Sequence, residues 1–186
     1  LTRKSARKKS IKPASSAKTN HFKNRMIRLF TPDHTFWNAM KSLYTEIEIN
    51  APVSVVWKIF TDFQLYPDWN PFIRSFDGIP EAGRQFSVII QPNGKKPMTF
   101  KPVCLALIPE KEFRWLGHLG INGLFDGEHI FELKKVDKTR TLFIQRENFR
   151  GVLVPLLWGF LDKSTRSGFE EMNQQLKMRA ESSAAA

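Results

Sequence analysis

Residues 43–72 read LYTEIEINAPVSVVWKIFTDFQLYPDWNPF, and the change of period inside this stretch decides the fold. From Leu43 to Asn50 the chain alternates. Leu43, Thr45, Ile47 and Ile49 fall on one side, and Tyr44, Glu46, Glu48 and Asn50 on the other. Successive strand side chains point to opposite faces, so this is a half-buried β-strand. Asn50-Ala51-Pro52 ends the alternation. Proline has no N–H and a fixed φ, both tolerated at a helix start, so a helix begins there. Within Val53–Phe63, Val56, Ile59, Phe60 and Phe63 recur at helical spacing. A short second helix or turn over Gln64–Asn70 stops at Pro71.

Beyond this stretch the chain reads as strands. Gln85–Gln91 leads to a turn at Pro92-Asn93-Gly94. Met98–Ile108 and Glu112–Leu116 flank Pro109-Glu110-Lys111. Gly123–Lys134 and Arg140–Phe149 flank the polar turn Lys135–Thr139 and form a hairpin. A long helix from about Pro155 to Ala180 closes the chain, with Leu157, Leu161, Gly168, Met172 and Leu176 on one face. The expected fold class is α+β: an antiparallel sheet of about six to seven strands, two short helices after the first strand, and a long C-terminal helix. Such a sheet must bury one face, and only the long helix is large enough to cover it.

The chain has 186 residues, 41% of them hydrophobic, which suits one globular domain and an extension. Ten of its 29 basic residues lie in residues 1–32, where there is no acid; the rest carries 19 basic against 18 acidic residues. The basic character therefore belongs to the first segment, and the near-neutral body lacks the basic face that nucleic-acid binding needs. Residues 1–39 are expected to be a basic low-complexity extension, disordered by itself because it has little to bury. Residues 40–182 form the domain and 183–186 a short tail. Three readings of the extension stand: a targeting presequence, an arm for RNA or anionic lipid, or a segment without a native role. The chain starts at Leu1, and Met40 would be a natural start for the domain. Residues 22–37 suggest a short helix. The longest apolar run, Val152–Leu161, has ten residues and contains a proline, against roughly 20 for a membrane span. One cysteine, Cys104, excludes an intramolecular disulfide and a multi-cysteine zinc site. A cytoplasmic location is expected, or an organelle if residues 1–32 are a presequence.

The order of elements and several local motifs resemble the START-like helix-grip superfamily (SRPBCC), in particular its small stand-alone polyketide-cyclase/dehydratase-like members. The resemblance rests on Ile47-x-Ile49-Asn50-Ala51-Pro52 followed by the Val53–Phe63 helix, and on Tyr66–Phe72. It continues through Phe113-Arg114-Trp115, Gly127–Phe131 and Phe149–Leu153, and it spans residues 43–180. It implies a helix-grip fold, a curved sheet wrapped around the C-terminal helix, with a cavity between them for a hydrophobic or amphipathic small molecule. The superfamily also holds cyclases and dehydratases, so the fold alone does not fix the function.

Strand parity singles out the polar residues that face such a cavity. Phe125, Gly127, His129, Phe131 and Leu133 share the apolar face of their strand; Phe143, Gln145, Glu147 and Phe149 share a face of the next. If Leu133 pairs with Thr141, His129 lies opposite Gln145, and Glu147 is its diagonal neighbour opposite Gly127, which leaves room for the carboxyl. An imidazole and a carboxyl in an apolar pocket can form a general acid/base pair, anchor a ligand carbonyl or hydroxyl, or simply be a satisfied buried network. The catalytic candidates are thus His129 and Glu147. The ligand-binding candidates are Trp69, Phe113, Trp115, Phe125, Phe131, Phe143, Gln145, Phe149, Leu157 and Leu161. Trp69 could instead pack the short helices, and Phe113 and Trp115 could be plain core. Arg114 and Arg146 have the opposite parity and belong on a solvated outer face. The four histidines form no His/Asp/Glu cluster of metal-ligand spacing, and no nucleotide-binding glycine loop is present, so no cofactor or metal is expected. The expected partner is a hydrophobic or amphipathic small molecule. Nucleic acid or an anionic membrane surface would be met only through residues 1–32.

Overall fold

The computed structural model of the protein describes residues 40–185. The expectations for residues 1–39, including a short helix over 22–37, lie outside the described residues.

The first strand, β1 (Lys41–Ile49), alternates as its sequence requires: Leu43, Thr45 and Ile49 are buried while Tyr44, Glu46 and Glu48 are exposed. Helix α1 (Val53–Thr61) follows Pro52, whose carbonyl accepts from the Val56 N–H at 3.1 Å. A single 3-10 turn (Phe63–Leu65) and the short α2 (Tyr66–Trp69) complete the cross-over. Asn70 then turns the chain. Its side-chain oxygen accepts from the N–H groups of Phe72 (3.0 Å) and Ile73 (2.8 Å), offering the backbone a local partner where the helix stops.

The strands β2 (Ile73–Asp77), β3 (Ser87–Ile90) and β4 (Met98–Phe100) form one sheet in that order. The strands β5 (Val103–Ile108), β6 (Glu112–His118), β7 (Asp126–Lys135) and β8 (Thr141–Arg150) join β1 in a second sheet, ordered β1-β8-β7-β6-β5. Every pairing is antiparallel. Two sequence expectations are corrected here. Met98–Ile108 is not one strand: Pro102 has no N–H to give a ladder, and the chain changes sheets around it, β4 pairing with β3 and β5 with β6. The strand β2 was not foreseen, because its five residues follow a proline and carry no clean alternation. The two sheets still meet edge to edge. Phe86 N–H donates to Pro102 O at 3.1 Å, and Cys104 N–H to Arg84 O at 2.9 Å.

The closing helix, α3 (Val154–Ala184), has 31 residues and runs two residues beyond the expected domain boundary at 182. Gly168, Met172 and Leu176 are buried as their spacing predicts, together with Val154, Thr165, Phe169, Asn173 and Ala180. Gly168 permits close approach: a β-carbon there would lie 2.2 Å from the Phe72 ring. The core beneath is mostly aromatic. Phe60 of α1 packs on Phe113, Phe131 and Phe143 with ring centroids 4.9–6.2 Å apart. Among the described residues no helix is long and apolar enough to cross a membrane.

Candidate functional site

Between α3 and the junction of the two sheets lies a cavity of about 90 Å³. Val88, Ile90 and Phe100 of the smaller sheet form one wall; Trp115, Phe125 and Phe149 form the other, and Leu161 and Thr165 of α3 close the top. Met98 and Leu119, both exposed, mark where it reaches the surface. Two larger hollows, of about 480 and 370 Å³, are open surface grooves, the first with Ile59, Leu65, Trp69 and Met178 among charged and serine side chains and the second lined by polar residues and Gly159. They lack the apolar enclosure that a small-molecule site needs.

Glu147 is the carboxyl that reaches the cavity wall. It is half-buried, and it makes no hydrogen bond or ion pair among the described residues. The local sequence explains its position. Gly127 lies diagonally across the β7–β8 ladder, and the space a β-carbon would fill there is taken by Glu147 Oε1, at 2.6 Å. Burial raises the Glu147 carboxyl from its ordinary 4.5 to about 8, because a charge in a low-dielectric wall loses its hydration. Near neutral pH it is a protonated acid, able to donate.

His129 faces inward, as parity requires, and is 1% exposed. The register, however, is offset by two residues from the expected one. Lys135 rather than Leu133 pairs with Thr141, so His129 lies directly opposite Glu147, and Gln145 lies opposite Phe131. The cause is the turn. Asp137 accepts from Thr139 N–H at 2.8 Å and from Arg140 Nε at 2.8 Å, which tightens the loop and lengthens both strands. His129 is stacked between Phe131 and Phe169, centroids 4.2 and 4.7 Å away, with Trp115 edge-on at 4.9 Å. Its Nε2 accepts from Gln145 Nε2 at 2.9 Å. Burial lowers its pKa from 6.5 to about 3, so it is neutral at physiological pH and is not among the residues lining the cavity.

The expected site residues therefore divide. Trp115, Phe125, Glu147, Phe149 and Leu161 line the cavity. Phe113, Phe131, Phe143, Gln145 and His129 are packed behind its wall, filling space with one another rather than offering it to a ligand. Leu157 packs on the core without reaching the cavity. Trp69 follows the other reading that the sequence allowed: it packs on Tyr66 of its own short helix, centroids 4.9 Å apart, and borders the surface groove beside Met178 rather than the cavity. Arg114 and Arg146 lie on the outer face as parity predicted, paired with Glu112 at 2.9 Å and Glu132 at 2.9 Å. Sequence reasoning missed the smaller-sheet wall, since β3 and β4 are too short to show a period. It also assigned no role to His118 at the rim, whose Nδ1 lies 2.8 Å from Asp126 Oδ1. That pair anchors the loop, because Asp126 also accepts the Gly123 N–H. Cys104 is buried, and burial raises its thiol pKa, so it has no nucleophilic character. No group of three His, Cys, Asp or Glu among the described residues could hold a metal ion.

Solved structures share this architecture. The chain is similar to the Zhui aromatase/cyclase of Streptomyces sp. R1128, with a TM-score of 0.63 at 15% identity, covering 77% of this chain and 94% of that one. It is similar to a START superfamily protein of Mycobacterium smegmatis, with a TM-score of 0.61 at 18% identity, covering 76% and 97%. It is also similar to norcoclaurine synthase of Thalictrum flavum, with a TM-score of 0.61 at 13% identity, covering 77% and 95%. At these identities the likeness is one of fold alone. No curated protein matches the chain. The family described as polyketide cyclase / dehydrase and lipid transport matches residues 40–181, the whole of the sheet and nearly all of the gripping helix, and the chain belongs to it.

Proposed function

We propose that the protein binds a hydrophobic or amphipathic small molecule in the cavity beneath α3, with Glu147 as its polar anchor. The observation that carries this reading is a carboxyl without a protein partner in an otherwise largely apolar enclosure. Apolar surface supplies affinity, at roughly 25 cal/mol per Å² removed from water. A protonated Glu147 supplies orientation by donating to a carbonyl or hydroxyl oxygen of the ligand. The cavity is smaller than the roughly 150 Å³ in which a dry engineered cavity holds benzene. A larger ligand therefore enters by displacing Met98 and Leu119, flexible side chains at the rim.

Gly117 provides the test. It lines the cavity, and a β-carbon on it would meet nothing closer than Pro102 Cβ at 3.9 Å. Gly117→Leu therefore starts without a clash at its β-carbon and takes up space in the cavity that Gly117 lines. Binding of the neutral aromatic probe N-phenyl-1-naphthylamine, followed by its fluorescence, is expected in the wild type and lost in Gly117→Leu. Equal binding by both would overturn the reading.

The raised pKa of Glu147 favours a second reading, a cyclase- or dehydratase-type enzyme. There Glu147 protonates a carbonyl or hydroxyl oxygen as bonds rearrange, and His129, neutral and buried, acts as a positioning residue through the strand pair rather than as a proton donor. Its test is deuterium exchange at the α-carbon of a simple ketone, 4-phenyl-2-butanone, read by NMR. Acceleration by the wild type that disappears in Glu147→Gln supports catalysis. No acceleration by the wild type counts against it.

A further inference from the structure

Leu119, Ile121, Val152 and Leu156 expose 46, 74, 40 and 81% of their surfaces. They belong to two segments held together. Val152 N–H donates to Gly123 O and Leu153 N–H to Leu124 O, each at 3.1 Å. Between them Gly151, at φ +126°, brings the chain so close that a β-carbon would lie 2.6 Å from Leu124 O. Scattered exposed aliphatic residues need no explanation, but four on one tip do. This tip also borders the cavity mouth, since Leu119 lines it.

The charges around the tip have one dominant sign. Arg150, exposed, directly precedes Gly151. Lys41 Nζ sits 5.7 Å from the centroid of the Trp158 ring, on the first turns of α3. Lys163, exposed, lies two turns along the same helix face as Leu156. The acids of these segments are engaged: Asp126 with His118 and Gly123 N–H, and Asp162 with Arg166 at 2.8 Å. The chain enters β1 at Met40, beside Arg150, after the segment with ten basic residues and no acid in residues 1–32.

We propose that this tip, residues 119–124 with 152–156, docks on an anionic lipid surface. Leu119, Ile121, Val152 and Leu156 enter the boundary of headgroups and acyl chains. Lys41, Arg150 and Lys163 stand at the level of the phosphates. Protruding single aliphatic side chains suit a fluid surface that moulds around them, where a folded protein partner would need a matching set of pockets. Apolar insertion and basic attraction are each too weak alone for stable attachment, and the tip has both. Docked in this way, the cavity mouth at Leu119 faces the bilayer.

The test uses the full 186-residue chain and phosphatidylcholine vesicles with and without about 30 mol% phosphatidylserine. An NBD fluorophore is placed at Ile121→Cys and, for reference, at Ile79→Cys, which is 77% exposed in the turn between β2 and β3; Cys104 is buried and does not compete for label. Blue-shifted emission and quenching by nitroxide-labelled lipid are expected at position 121 and not at 79, on the anionic vesicles. Leu156→Asp should weaken vesicle binding about tenfold, with far-UV circular dichroism and Tm unchanged because the side chain is exposed. Vesicle binding without quenching at position 121 would assign attachment to the basic N-terminal segment alone and overturn the proposal. No vesicle binding would overturn it too, and so would equal insertion into neutral vesicles.

Discussion

Glu147 Oε1 lies only 2.6 Å from the position that a β-carbon on Gly127 would take, closer than the two could stand together. One strand therefore gives up a side chain so that the carboxyl of the next can lie flat against the cavity wall. The proposed chemistry depends on that placement more than on the residue types around it.

The first prediction concerns Gly127→Ala. The clash is with the far end of a flexible side chain, so Glu147 can rotate away, and stability should change by less than about 1 kcal/mol. Binding of N-phenyl-1-naphthylamine and its response to pH should change all the same. A variant that keeps both the stability and the pH response of the wild type would show that the carboxyl is not held by this contact.

Gly168→Ala should behave in the opposite way. Alanine in mid-helix is ordinarily favourable by about 1 kcal/mol. Here the new β-carbon would lie 2.2 Å from a ring atom of Phe72, which is 3% exposed and packed edge-on against Phe169. The ring has nowhere to go, so a loss of about 1–3 kcal/mol is expected in denaturant unfolding. A gain in stability would mean that the helix can lift off the smaller sheet at no cost.

The pH dependence of stability follows from two opposed burials. Glu147, raised from 4.5 to about 8, keeps its proton in the folded state after the unfolded chain has lost it, so its contribution to stability falls as pH rises through that window. His129, lowered from 6.5 to about 3, stays neutral when the unfolded chain takes a proton, so its contribution falls as pH drops through that window. Between pH 4.5 and 6.5 the two slopes cancel. Above that, Glu147 alone should cost about 1.4 kcal/mol per pH unit until about pH 8. Urea titrations at several pH values should show this alkaline decline in the wild type and its absence in Glu147→Gln.

The His129–Gln145 pair should be asymmetric to truncation. Gln145 Oε1 is buried without a hydrogen-bond partner among the described residues, while Nε2 donates to His129. His129→Leu leaves Nε2 only its 3.8 Å contact with Met172 Sδ, a weak acceptor, and should cost about 1–3 kcal/mol from that source, in addition to the lost stacking. Gln145→Met removes the donor and the orphaned acceptor together, leaves only the His129 Nε2 acceptor unpaired and keeps the ring stacking, and should cost clearly less. Comparing the two Tm values decides the matter. A larger loss for Gln145→Met would mean that its amide is satisfied in solution.

The sequence by itself determined the first strand, the helices and the long β7–β8 hairpin, the division between a basic first segment and a near-neutral domain, and the face of each long strand. It placed His129 inward and Arg114 and Arg146 outward, because side-chain direction along a strand depends only on parity, a local property. It also indicated that Gly127 leaves room for Glu147, which survived a two-residue error of register because a shift by two preserves parity. The tertiary structure alone decided the rest. The register of β7 and β8 came from the hydrogen bonds of Asp137 in a five-residue connection. The change of sheets at Pro102 depended on which edges were free to pair. The cavity is where side chains from remote segments fail to meet, so no local pattern marks it. Aromatic residues of the same face and similar size thus parted company: Trp115 and Phe149 border the cavity, while Phe113 and Phe131 close on one another behind it. The same packing sealed His129 in and left Glu147 facing the cavity, although the two lie directly opposite on adjacent strands.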